Sequence, residues 1–168
     1  NAFSSNGIFN NDGDDTNNTL TLSINTVRPV IALTSTLSSL KAGDTTTLTF
    51  TLSEPSSDFS EADITISGGT LSNFSGSGSS YTATFTADAN STSDAVISVA
   101  SGTFSNSAGN TNNDGDNTNN TLTLSINTVR PTITLTSDRS SLQAGDTATL
   151  TFTLSEPSAD FSEADITI

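Results

Sequence analysis

Residues 47–52 read Thr-Leu-Thr-Phe-Thr-Leu, a strict alternation of hydroxyl and apolar side chains. Successive side chains of a β-strand point to opposite faces. This segment therefore sets Leu48, Phe50 and Leu52 on one face and leaves Thr47, Thr49 and Thr51 to water. The same alternation returns at residues 80–85 (SYTATF), 19–24 (TLTLSI) and 121–126 (TLTLSI). Ile31 with Leu33, Ile64 with Ile66, and Ile97 with Val99 add further inward pairs. No stretch has the 3.6-residue period of a helix. Turn-forming residues part the apolar runs at Ala42-Gly43-Asp44, Gly68-Gly69 and Ser75-Gly76-Ser77-Gly78. Strands are predicted from about residue 30 and over 45–53, 63–67, 70–74, 80–86, 95–100 and 121–126. Seven short strands with turns every 8–12 residues fit a two-sheet sandwich of the all-β class.

The pattern recurs because the sequence recurs. TVRPVIALTSTLSSLKAGDTTTLTFTLSEPSSDFSEADITI begins at Thr26 and returns from Thr128 as TVRPTITLTSDRSSLQAGDTATLTFTLSEPSADFSEADITI. NNDGDDTNNTLTLSIN at Asn10 returns from Asn112 as NNDGDNTNNTLTLSIN. Both pairs are 102 residues apart, the size of one small domain. Residues 1–25 then read as the end of one repeat, 26–127 as a whole repeat and 128–168 as the beginning of another. The copies support the strand facing. Val30 and Ala32 become Thr132 and Thr134, while Ile31 and Leu33 stay apolar as Ile133 and Leu135. The out-of-phase ends suggest a piece of a longer array, or ends completed by neighbouring chains. Simple head-to-tail completion fails, since Ser67 to about Ala100 has no counterpart.

Composition excludes much chemistry. The chain has no His, Cys, Met or Trp, and four basic residues face eighteen acidic ones, for a net charge of -14. Triads, thiol nucleophiles and the usual zinc sites are ruled out. No basic patch can neutralise phosphates, so nucleic acid is not an expected partner. No apolar run spans a bilayer and no signal-peptide pattern opens the chain, which reads as a mature product or part of something longer. Disulfides are absent, which does not exclude an extracellular setting for a domain of this size.

TVRPTITLTS, AGDTATLTFTLSEPS, DFSEADITISGGTLSNFSGSGSSYTATFTA and the AGN…NDGD…NN loop together resemble the bacterial Ig-like repeats of large secreted or surface-bound adhesins and biofilm-associated proteins. The resemblance covers essentially the whole chain. It implies a seven-stranded Ig-like β-sandwich repeated in tandem, a location outside the cell or on the bacterial surface, and a role as an extender or adhesion module without enzyme activity. Such junctions often carry Asp before the TxRP segment, where this chain has Asn25 and Asn127.

In a sandwich of this topology the loops gather at two poles. Glu54, Asp58, Glu61 and Asp63 fall in one loop and Asp114 and Asp116 in another, both at the pole facing the preceding repeat. Asp44, Asp88 and Asp94 lie at the opposite pole. Crowded carboxylates repel, and calcium, which takes six to eight oxygens, would turn that repulsion into stiffness. Those six acids are the candidate calcium ligands, with turn formation and solubility as the simpler role for Asp and Asn. Asn110-x-Asn112-x-Asp114-Gly115 resembles half an EF-hand loop, but Thr121 stands where the closing Glu belongs. Phe59 and Phe161 are expected to plug the pole of the core. Arg28 and Arg130 are expected to pair with the acidic pole. The Thr45, Thr47, Thr49 and Thr51 ladder is similar to ice-binding surfaces, though outward threonine is ordinary strand composition. N-x-[ST] sequons at Asn17, Asn73, Asn90 and Asn119 follow from Asn and Thr richness. A glycosidase carboxylate pair does not suit repeated terminal loops.

The expected function is a structural extender of a repetitive surface protein, with neighbouring repeats as partners and calcium stiffening the joints. The alternatives are a subunit of a self-assembling filament, sheath or matrix, and a glycan- or ice-binding module.

Overall fold

A computed structural model describes residues 4–5, 8–9, 19–115 and 117–167. The described regular structure is β, with three single 3-10 turns at Glu61–Asp63, Thr118–Asn120 and Glu163–Asp165. The strands are β1 (Ser4–Ser5), β2 (Ile8–Phe9), β3 (Ile31–Ser35), β4 (Ser39–Lys41), β5 (Thr45–Ser56), β6 (Ile64–Ser67), β7 (Gly69–Ala87), β8 (Ala95–Val99), β9 (Thr121–Asn127), β10 (Ile133–Ser137) and β11 (Leu150–Leu154).

β3 to β9 form an Ig-like β-sandwich. One sheet has the order β3-β5-β7 and the other β4-β9-β8-β6. β7 turns back on itself as a hairpin. Asn73 bonds Thr84 and Ser75 meets Thr82 across it, and the Phe74 ring stacks on Tyr81 at 5.8 Å. Gly76 is required there: its φ is 138°, and a Cβ on it would strike the Ser80 carbonyl and the Tyr81 backbone. The two strands predicted at 70–74 and 80–86 are thus the arms of one hairpin.

Alternation places the core as expected. Leu48, Phe50 and Leu52 of β5 face Ile97 and Val99 of β8 and Leu124 and Ile126 of β9 within one buried cluster. Phe59 does plug the pole: its ring lies 5.0 to 5.9 Å from those of Tyr81, Phe104, Phe74 and Phe50. The Tyr81 hydroxyl donates to the Ser56 carbonyl at 2.9 Å, which satisfies its polar end inside the core.

Two features depart from the sequence reading. The first strand is split. After β3 the chain crosses at residues 36–38 to the other sheet, where β4 runs parallel to β9. Buried Thr46 holds the crossing. Its hydroxyl meets Ser35 Oγ at 2.7 Å and Thr36 Oγ1 at 3.0 Å, and accepts the Leu37 N–H at 3.0 Å. That is the full bonding capacity of one hydroxyl. The second departure is residues 19–24, which were expected as a strand and form none. Leu20, Leu22 and Ile24 are all exposed. Their copy in β9 lies between β4 and β8, whereas residues 19–24 pair with no strand among the described residues. A ladder strand without neighbours has nothing to pair with or bury against.

Candidate functional site at the poles of the sandwich

The loops after β5 and β8 meet at the pole where the chain enters the domain. Here the candidate acids take up separate posts. Asp58 accepts the Ser56 hydroxyl at 2.6 Å, the Ser105 N–H at 2.9 Å and the Ser105 hydroxyl, and so ties the two loops together. Those donors, the Ser105 hydroxyl foremost, hold its carboxyl below the ordinary carboxylate range. Burial, with a smaller contribution from the Asp58 charge, raises the Tyr81 phenol. Glu54 accepts from the Asn106 amide. Asp63 accepts the Ser60 N–H at 2.8 Å and its hydroxyl at 3.0 Å, closing the 3-10 turn on itself. Asp114 is buried, and its Oδ1 accepts the Ile31 N–H at 2.8 Å, capping the start of β3. Glu61 is exposed. Asp116 lies outside the described residues.

These acids were expected to converge. Among the described residues no three acidic side chains gather where one metal ion could sit. Asp58, Glu54, Asp63 and Asp114 each turn an oxygen to N–H or O–H donors of the protein. Among the described residues Arg28 and Arg130 form no ion pair with the acidic pole. Both are exposed, and the only ion pair among the described residues joins Arg139 to Asp146 at 3.6 Å.

What the pole does hold is the incoming chain. Asn106 is buried. Its amide donates to the Val27 carbonyl at 3.0 Å as well as to Glu54, while its oxygen accepts the N–H groups of Ala108 and Asn110 at 3.1 and 2.9 Å. The Asn110 amide donates to the Asn25 carbonyl at 2.9 Å, and the Asn113 N–H donates to the Pro29 carbonyl at 3.0 Å. Pro29 is itself fully buried. Carbonyls of alternate residues, 25, 27 and 29, are therefore all bound by the loop between β8 and β9. Asn112 supports that loop from inside. It is 0% exposed, accepts the Thr103 and Phe104 N–H groups and donates to the Ala100 carbonyl.

The opposite pole holds the outgoing chain. Thr128 is 6% exposed. Its N–H donates to the Ser91 carbonyl at 2.8 Å, its hydroxyl donates to the Asp88 carbonyl at 2.6 Å, and the hydroxyl accepts the Ser91 N–H at 2.9 Å. Asn110 and Asn112 stood out in the sequence only within the half EF-hand string, and the linker-holding roles of Asn106, Asn110 and Thr128 were not read there. The available signal was the recurrence of TVRP at Thr26 and Thr128.

A sandwich of this topology, entered and left through hydrogen-bonded joints, has a known relative in sequence. The chain belongs to the bacterial Ig-like domain family. The match covers residues 25–124 and again 127–168. No curated protein and no solved structure matches the chain. Bacterial Ig-like domains are in general structural modules and commonly occur in surface or extracellular proteins. Among the described residues no helix is long and apolar enough to cross a membrane.

Proposed function

We propose that this chain is a spacer segment of a bacterial cell-surface or secreted adhesin. Tandem Ig-like domains give it length, and hydrogen bonds at the domain poles give it stiffness. The observation that carries this reading is the binding of the chain on both sides of the sandwich: three linker carbonyls by the Asn106, Asn110 and Asn113 loop, and Thr128 by Asp88 and Ser91. A linker whose backbone is bonded to a rigid loop cannot swing as a free chain does. The acids bear on solubility and on tying the loops, and no reaction is assigned to them. Specific adhesion belongs to other parts of such a protein.

Small-angle scattering on a chain of three whole 102-residue repeats tests the stiffness. The expected result is a rod whose maximum dimension grows by one domain length per repeat. Scattering that fits domains on freely jointed linkers would sink the reading. Antibodies against the chain should label intact cells of the source organism, and labelling only after lysis would remove the surface assignment.

A further inference from the structure

The N-x-[ST] strings at Asn73, Asn90 and Asn119 look alike in sequence, and the fold sets them apart; Asn17 lies outside the described residues. Asn73 stands inside the β7 hairpin, where its amide donates to the Thr84 hydroxyl at 3.4 Å. Asn119 stands inside a 3-10 turn, where its N–H is bound by the Asn117 side chain. Asn90 belongs to neither kind of element. It lies in the loop of residues 88–94 that joins β7 to β8. Asp88, Ala89, Asn90, Thr92 and Ser93 are all exposed there. The Asn90 side chain makes no hydrogen bond to the described residues. Asn73 and Asn90 share a left-handed φ of 54° and 56°, so partners and flanks separate them, not backbone. The flanks differ at one place. Asp88-Ala89-Asn90-Ser91-Thr92 has an acid two residues before the asparagine, where Asn73 has Leu71 and Asn119 has Asn117.

We propose that Asn90 is a modification site, the acceptor of an N-linked glycan placed by a bacterial transferase that requires Asp88. The co-substrate class is an oligosaccharide carried on a polyprenyl diphosphate. A bond forms between Asn90 Nδ2 and the anomeric carbon of the first sugar. The bond from that carbon to the diphosphate oxygen breaks, and the lipid diphosphate leaves with its electron pair. The displaced amide proton passes to a base of the transferase. The loop suits such a transfer because it is fastened from outside itself. Its bonds to the rest of the chain beyond Asp88 N–H run to Thr128, through the Asp88 carbonyl and the Ser91 N–H and carbonyl. Until Thr128 docks, residues 89–93 are held by no strand and can extend into an enzyme. Once it docks, a sugar on Asn90 stands beside the linker that leaves the domain. A bulky, hydrated group there shields an exposed connection from proteases. The proposal rests on the spacer reading for its export, since lipid-linked sugars of this kind are used outside the cytoplasmic membrane.

Mass spectrometry of the protein purified from its source organism tests the site. Cleavage before Asp releases residues 88–93 as one peptide, because Asp94 follows. The expected result is that peptide heavier by a sugar chain, with fragmentation placing the added mass on Asn90. Asn90→Gln should abolish the modification, and Asn73→Gln should leave it intact. Asp88→Asn should abolish it as well, while keeping the backbone carbonyl that binds Thr128. A bare peptide would overturn the proposal. So would a sugar on the hydroxyls of Ser91, Thr92 or Ser93, or one that persists in Asp88→Asn. The two readings fail separately. A bare peptide from cells that antibodies label removes the glycan and leaves the spacer standing. Scattering from freely jointed domains removes the stiff spacer and leaves the peptide masses as they are.

Discussion

β3 with β5, and β10 with β11, are nearly the same sequence folded twice under different cover. Ile31 pairs with Leu52 and Ile133 with Leu154, position for position at a 102-residue offset. Local detail is repeated as well. Ser56 to Asp58 and Ser158 to Asp160 are both 2.6 Å. The Ser60–Asp63 turn recurs at Ser162–Asp165. Phe50 to Phe59 is 5.9 Å and Phe152 to Phe161 is 5.7 Å. Burial is what differs. Ile31 and Leu33 are 0% and 7% exposed, while Ile133 and Leu135 are 50% and 57%. Pairing and turn geometry are thus local properties of the sequence. The core of the first copy is closed by the second sheet, β4-β9-β8-β6, packed on its apolar face.

Truncating the shared aromatic should split the copies most widely. Phe50→Ala should cost about 3–5 kcal/mol of unfolding free energy, as large-to-small changes in filled cores do. Phe152→Ala should leave the main denaturant transition where it was. An equal loss from the two would mean that the copy is buried in solution.

The crossing offers a second contrast. The copy has Asp138 and Ala148 where the first repeat has Thr36 and Thr46, and Asp138 accepts the Thr149 N–H at 2.8 Å. Thr46→Ala alone should cost about 1–2 kcal/mol by leaving buried partners unmade. Thr36→Asp together with Thr46→Ala should recover part of that loss. A double variant no better than the single one would show that the pairs are not alternatives.

Acid should also separate the loops. Donors from Ser105 and Ser56 depress the Asp58 carboxyl. A group depressed in the folded state contributes stability that is complete above its ordinary value near ~3.9. That stability is lost as pH falls through the lowered folded value. Asp58→Asn should therefore flatten the acid side of the stability curve. Asp160→Asn should not, because among the described residues Asp160 accepts only from Ser158 of its own loop. An unchanged acid slope in Asp58→Asn would remove that loop tie from the account.

The smallest expected effect is that of calcium. With Asp58, Glu54, Asp63 and Asp114 already holding protein donors, added calcium or a chelator should leave the melting temperature nearly unchanged. A rise on calcium addition that Glu54→Gln or Asp116→Asn abolishes would put a cation at the joint.

Sequence reading reached the sheets more surely than the pole. The inward set of β5 and β7 was legible because a period of two needs no knowledge of the partner. β4 was not, since three residues with one apolar side chain carry no period, and the partner of Leu40 is Ile126, far along the chain. The acids were legible as a set but not in their roles. Nothing in SEPSSDFSEAD distinguishes Asp58, which bridges to Ser105, from Asp63, which closes its own turn. Buried Asn112 and Asn106 were hidden among many exposed asparagines, for polar burial leaves no mark in an Asn-rich loop.

By itself the sequence determined the all-β class, the 102-residue period, the hairpin registers and the turns, because each depends on residues close together in the chain. Tertiary structure alone decided that β4 crosses to the second sheet, that Leu40 pairs with Ile126, and that the pole binds the linker by amides. Those outcomes depend on distant neighbours that cover apolar faces and satisfy backbone groups.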